Sequence, residues 1–112
     1  MLTVRFYRTE AGNEPVREWL QDLSDEDRRT IGVDLWTLQE GWPLGMPLCR
    51  SLGKGLWEVR SSLSDKREVR LLFCLKDDCI RVVNGFIKKT QKTSKEEIEL
   101  ALRRMKEWND GD

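Results

Sequence analysis

LWEVRSSL (56–63), EVRLLFCL (68–75) and CIRVVNGF (79–86) follow one another with only short polar gaps, and their reading decides the fold. Each repeats apolar residues at a period of two, the period of a strand whose successive side chains point to opposite faces. The gaps around Ser64-Asp65-Lys66 and at Asp77-Asp78 read as tight turns, so the three segments form an antiparallel meander. A first hairpin centred on Asp65 opposes Arg60 with Arg70 on one face, and Trp57 with Phe73 and Val59 with Leu71 on the other. A two-residue Asp77-Asp78 turn then sets Leu71, Phe73 and Leu75 against Asn84, Val82 and Ile80, which brings Arg70 beside Gly85.

Outward from this meander the period changes. LTVRFY (2–7) alternates as a further strand, and Ala11, Gly12, Asn13 and Pro15 mark a turn and a helix start. Val16, Trp19, Leu20 and Leu23 make one apolar helical stripe. Ser24 with Asp27 resembles a capping box and opens a second helix with Ile31, Leu35, Leu38 and Trp42 on one side. The two helices read as a hairpin, ended by Gly41, Pro43, Gly45 and Pro47 in an irregular connection. Trp36 lies off the second stripe, open either to a partner or to packing against that connection. Ser94 and Glu97 cap a closing helix through Ile98, Ala101, Leu102 and Met105, ending near Trp108. The expected fold is α+β over residues 1–112, a single domain of N-terminal strand, two-helix hairpin, three-stranded meander and C-terminal helix.

The 112 residues suffice for one modest core, and five Trp in so short a chain argue against disorder. No apolar run approaches the ~20 residues needed to span a bilayer, and MLTVRFYRTE lacks the apolar region of a signal peptide, so a cytoplasmic protein without membrane partners is expected. Cys49, Cys74 and Cys79 form no CxxC pair and read as reduced core thiols. The chain contains no His. That excludes His-based triads and His-bearing zinc sites, and leaves acid–base chemistry to Lys, Tyr, Glu, Asp or Arg. LGKGL (52–56) lacks P-loop spacing and leads into a strand, which argues against nucleotide binding there.

The formal net charge of zero conceals segregation. Five basic and nine acidic side chains make residues 1–40 negative, twelve against five make 41–95 positive, and three against six make 96–112 negative again. Within the basic middle, GFIKKTQKTSK (85–95) carries Lys88, Lys89, Lys92 and Lys95 with no acid. Opposed arginines repel, and two explanations of Arg60 facing Arg70 stay open. A bound anion gripped by both, with Lys88 and Lys89 converging and Gly85 admitting a backbone, is one. Pairing of the arginines with Glu58 or Glu68 on a solvated sheet face is the other. Lys95 opens the last helix, where the dipole disfavours a cation unless a polyanion lies near.

LGKGLWEVRSS (52–62), the following EVRLLF, NGFIKKTQKTSKEEIELA (84–101) and the strand-helix-helix opening together resemble the HigB-type, phage-derived branch of the RelE/ParE toxin superfamily. The resemblance implies a RelE-like fold and the toxin of a toxin-antitoxin pair. Its activity would be that of a ribosome-dependent endoribonuclease, in which a ribose 2′-hydroxyl attacks the adjacent mRNA phosphate without metal or other cofactor. It implies Arg60, Arg70, Lys88 and Lys89 as catalytic residues, and Lys54, Phe86, Lys92 and Lys95 as RNA contacts. Its partners would be a cognate antitoxin of helix-turn-helix type, the ribosome and mRNA. Lys88 or Lys89, crowded by cations, would act as general base or acid. Relatives place a Tyr or His near the C-terminal end; here that end reads MKEWNDGD, which leaves stacking to Trp108 or Phe86. Two other functions fit the same charge: a ParE-like inhibitor of DNA gyrase, and an inactive domain that binds RNA or antitoxin.

Overall fold

The computed structural model describes residues 2–43, 45, 48–88 and 92–111. Its elements are β1 (Thr3–Phe6), α1 (Pro15–Gln21), α2 (Asp25–Gly41), β2 (Cys49–Gly53), β3 (Leu56–Ser62), β4 (Glu68–Lys76), β5 (Cys79–Ile87) and α3 (Lys95–Gly111). The strands form one sheet in the order β1-β5-β4-β3-β2, antiparallel throughout except for the parallel β1–β5 pair. The fold is thus α+β, as expected, but the meander has four strands and β1 joins its far edge.

The added strand, β2, is CRSLG, an exposed edge segment without apolar alternation, so periodicity carries no signal for it. It turns into β3 through Gly53, Lys54 and Gly55, all at positive φ. Two consecutive left-handed residues match the twist of a tight hairpin, which is the use of LGKGL. Asp77 and Asp78 turn β4 into β5 in the same way, with φ of 53° and 59°.

Helices cover both sheet faces. Val16 of α1 with Ile31 and Leu38 of α2 pack on Val59, Leu71, Phe73, Ile80 and Val82, with Trp19 and Trp57 at the margin. Ala101 of α3 packs on Tyr7, Leu56, Leu72 and Val83 from the other side. With both faces covered, Val69–Cys74 is buried without interruption. Ser24 caps α2 by accepting from the Asp27 N–H at 3.1 Å. The three cysteines are free and buried, and burial pushes the Cys49 thiol up to about 11.

The β3–β4 register sets Trp57, Val59 and Arg60 against Phe73, Leu71 and Arg70, as the Asp65 turn predicts. In β4–β5, Phe73 faces Val82 and Leu75 faces Ile80, but Leu72 faces Asn84. Val83 is therefore an extra residue, a β-bulge, and Val83 and Asn84 both meet α3. The bulge corrects the expected neighbour of Arg70 from Gly85 to Phe86. Gly85 turns to the α1 side, where a Cβ would lie 2.8 Å from Leu71, 3.1 Å from Val16 and 3.3 Å from Trp19. Its small size admits α1.

A polar cluster crosses the α3 face of the sheet. Glu58 and Arg70 are each 1% exposed, and Arg70 Nη1 donates to Glu58 Oε1 at 2.5 Å. Arg70 Nε donates to Glu68 Oε1 at 2.7 Å, while Nη2 lies against the same oxygen as an ion contact outside hydrogen-bond geometry. The Thr93 hydroxyl donates to the second Glu58 oxygen, and Arg50 approaches the first at 3.5 Å. A buried charge left without its partner is far costlier than the pair is stabilising.

Two substitutions test this packing. Gly85→Ala is expected to cost about 1–3 kcal/mol in urea unfolding through overpacking at the α1 contact; an unchanged midpoint would contradict the tight approach. Arg70→Met is expected to cost about 3–5 kcal/mol by stranding Glu58, and adding Glu58→Gln to recover part of it. Additive losses in the double variant would show that the two side chains are not coupled.

Candidate functional site

Beyond the end of α3, the same sheet face opens to solvent, and its composition follows from the register. One cross-strand row is Arg60, Arg70, Phe86, and the next begins with Ser62 and Glu68. Lys88 continues that row, its N–H donating to the Glu68 carbonyl at 2.8 Å. Arg60 is half-buried and its guanidinium makes no hydrogen bond or ion pair among the described residues. Burial raises the Glu68 carboxyl, but the Arg70 hydrogen bond and the charges of Arg70, Lys88 and Arg60 outweigh it and hold the pKa below its ordinary value.

An open cleft of about 590 Å³ adjoins this patch, lined by Trp19, Gly85, Phe86, Ile87, Lys88, Lys92, Ser94 and Glu97. Ser94 accepts from the Glu97 N–H at 3.3 Å, so the first turn of α3, with its outward N–H groups and positive dipole end, borders the cleft. The Glu97 carboxylate is turned toward the Asn84 amide, 3.4 Å away. A lining that combines the cations Lys88 and Lys92 with the aromatic Phe86 suits a phosphodiester and its base.

Of the residues singled out in the sequence, Arg60, Arg70, Phe86, Lys88 and Lys92 come together here. Arg70 sits beneath the surface, held by Glu58 and Glu68, so the carboxylate pairing of the second explanation holds for one arginine only, and that one is buried rather than on a solvated face. Lys89 lies outside the described residues. Lys54 sits on the β2–β3 turn, past the Leu56 end of β3 and away from Arg60. Lys95 is exposed on α3 and pairs with Glu99 at 3.7 Å; it does not line the cleft.

Trp108 is excluded from stacking in this cleft by distance. It lies 13 residues along α3 from Lys95, roughly 20 Å at 1.5 Å per residue, edge-on to Tyr7 with ring centres 6.4 Å apart. Tyr7 itself donates to Glu107 at 2.5 Å; that hydrogen bond, with burial, raises its pKa. Both belong to a separate open cleft of about 1030 Å³ between β1 and the end of α3, lined by Arg5, Arg8 and Arg17 together with Glu10, Glu14 and Glu107. Its mixed charge gives no anion preference. Of Trp108 and Phe86, Phe86 is the one at the basic cleft, which Trp19 also lines.

The sequence assigns no role to Thr93 or Ser62, and to Glu97 only the capping of α3. Ser62 was accessible from the Asp65-centred register, which pairs it with Glu68. Thr93 had no such signal, because its contact with Glu58 spans 35 residues.

Among the described residues no cluster could hold a metal ion, and no helix is long and apolar enough to cross a membrane. No curated protein matches the chain. A family model matches residues 18–106, from α1 through nearly all of α3 and including the whole β2–β5 meander. The chain therefore belongs to the family of phage-derived Gp49-like proteins (DUF891), a RelE/toxin-like family.

Proposed function

We propose that the chain is a HigB-type toxin of a toxin-antitoxin pair, a ribosome-dependent endoribonuclease that cleaves mRNA to stop translation. The observation that carries this reading is the cross-strand gathering of Arg60 and Lys88 beside Phe86, next to a cleft that also contains Lys92. A toxin acting on gyrase through protein contacts has no need of a cleft lined by cations and an aromatic, so the cleft favours the nuclease.

The chemistry asks little of the protein beyond placement. Attack of a ribose 2′-oxygen on the adjacent phosphorus builds a phosphorane-like transition state with extra negative charge. Arg60, whose guanidinium is unengaged among the described residues, and Lys88 stabilise that charge without having to reorganise. Lys92 grips the flanking backbone, Phe86 stacks a base, and Lys89 adds to the charge of the segment. Arg70 acts one step back, orienting Glu68 and the sheet from its buried position. The reading entails a cytoplasmic protein whose partners are the ribosome, mRNA and a helix-turn-helix antitoxin that masks the basic face.

Purified protein added to ribosomes programmed with mRNA is expected to cut in the decoding site, leaving a cyclic phosphate and a 5′-hydroxyl. Arg60→Ala and Lys88→Ala should each slow cutting about 10²–10³-fold, the cost of deleting one transition-state donor, with unchanged thermal unfolding. Wild-type cutting by a folded Lys88→Ala variant would remove Lys88 from the mechanism. Absence of cutting by the wild type would remove the nuclease.

A further inference from the structure

Transition-state cations do not complete the reaction, because the attacking 2′-hydroxyl must lose a proton. In a chain without His, the acceptor has to come from elsewhere. Arg and Lys in their charged forms only donate, which leaves the carboxylates at the cleft. Two are described: Glu97 lines the cleft, and Glu68 stands in the row that adjoins it.

We propose that Glu68 is the general base, an inference that rests on the nuclease reading above. Its position distinguishes it from Glu97. Glu68 stands between Ser62 and Lys88 in the row next to Arg60 and Phe86. One carboxylate oxygen, Oε1, takes both Arg70 nitrogens, and the side chain retains 30% exposure. The buried guanidinium thus fixes the carboxylate in one orientation while Oε2 stays available. Glu97 instead follows the α3 cap and turns to Asn84.

The step balances within these groups. Glu68 Oε2 takes the 2′-hydroxyl proton as the 2′-oxygen bonds to phosphorus. The phosphorus–O5′ bond breaks, and the departing 5′-oxygen takes a proton from the Lys88 ammonium. The products are a 2′,3′-cyclic phosphate and a 5′-hydroxyl. Glu68 then returns its proton to solvent and Lys88 regains one. This assigns Lys88 the acid role and removes the need for a neutral lysine as base.

The test is single-turnover cutting of ribosome-bound mRNA from pH 5.5 to 8.5 with wild type, Glu68→Gln, Glu68→Asp and Glu97→Gln. A carboxylate base is ionised across this whole range, so the wild-type rate should be flat. A lysine base would instead make the rate rise about tenfold per pH unit below its pKa, and that slope in the wild type, which needs no variant to fold, would overturn the proposal. Glu68→Gln keeps an oxygen for Arg70 but cannot take a proton. It should cut about 10²–10⁴-fold more slowly at unchanged half-saturating ribosome concentration, and Glu68→Asp should recover part of the rate. Wild-type cutting by Glu68→Gln, or loss of cutting in Glu97→Gln alone, would overturn the assignment while leaving the nuclease standing. No cutting by the wild type at any pH would instead remove the nuclease reading, and the assignment with it.

Discussion

The buried pairing of Glu58 with Arg70 is the constraint on which the rest of this molecule depends. Neither charge can leave water without the other, and each is 1% exposed. The pair joins β3 to β4, and Glu58 extends it to Arg50 on β2 and to Thr93 just before α3. Through Thr93 the pair anchors the end of the lysine segment that begins at Lys88, and through Glu68 it reaches the surface. The cationic face therefore stands on a carboxylate core. This answers why two arginines oppose each other on a sheet: one is neutralised from below and the other is left at the surface.

How much of this was legible in the sequence depended on whether a local rule determined it. The β3–β4 register followed from the turn at Asp65 and the apolar face it sets, so Arg60 opposite Arg70 was readable. The β4–β5 register was readable only up to Phe73, because the bulged residue is Val83, as much at home on either face as its neighbour Val82. That single inserted residue moves Arg70 from Gly85 to Phe86. β2 was hidden by its polarity, as suits an edge strand. The coverage of the second face by α3 is a tertiary fact with no periodic trace.

The same distinction separates residues by role. Lys54 and Lys95 share the charge of Lys88 and Lys92 but stand elsewhere, one on the β2–β3 turn and the other paired with Glu99 on α3. Charge segregation along the chain therefore overstates the size of the basic site. What concentrates it is the end of the sheet, where β3, β4 and β5 present one row after another, and the α3 N-terminus that closes the cleft.

Whether this basic face cuts translated RNA is best decided in cells. The wild-type chain would be induced briefly and the 5′ ends of all messages mapped. Cleavage on the ribosome gives new ends in phase with codons, confined to translated regions. Growth arrest without new ends would contradict it, as would cuts spread equally over untranslated RNA.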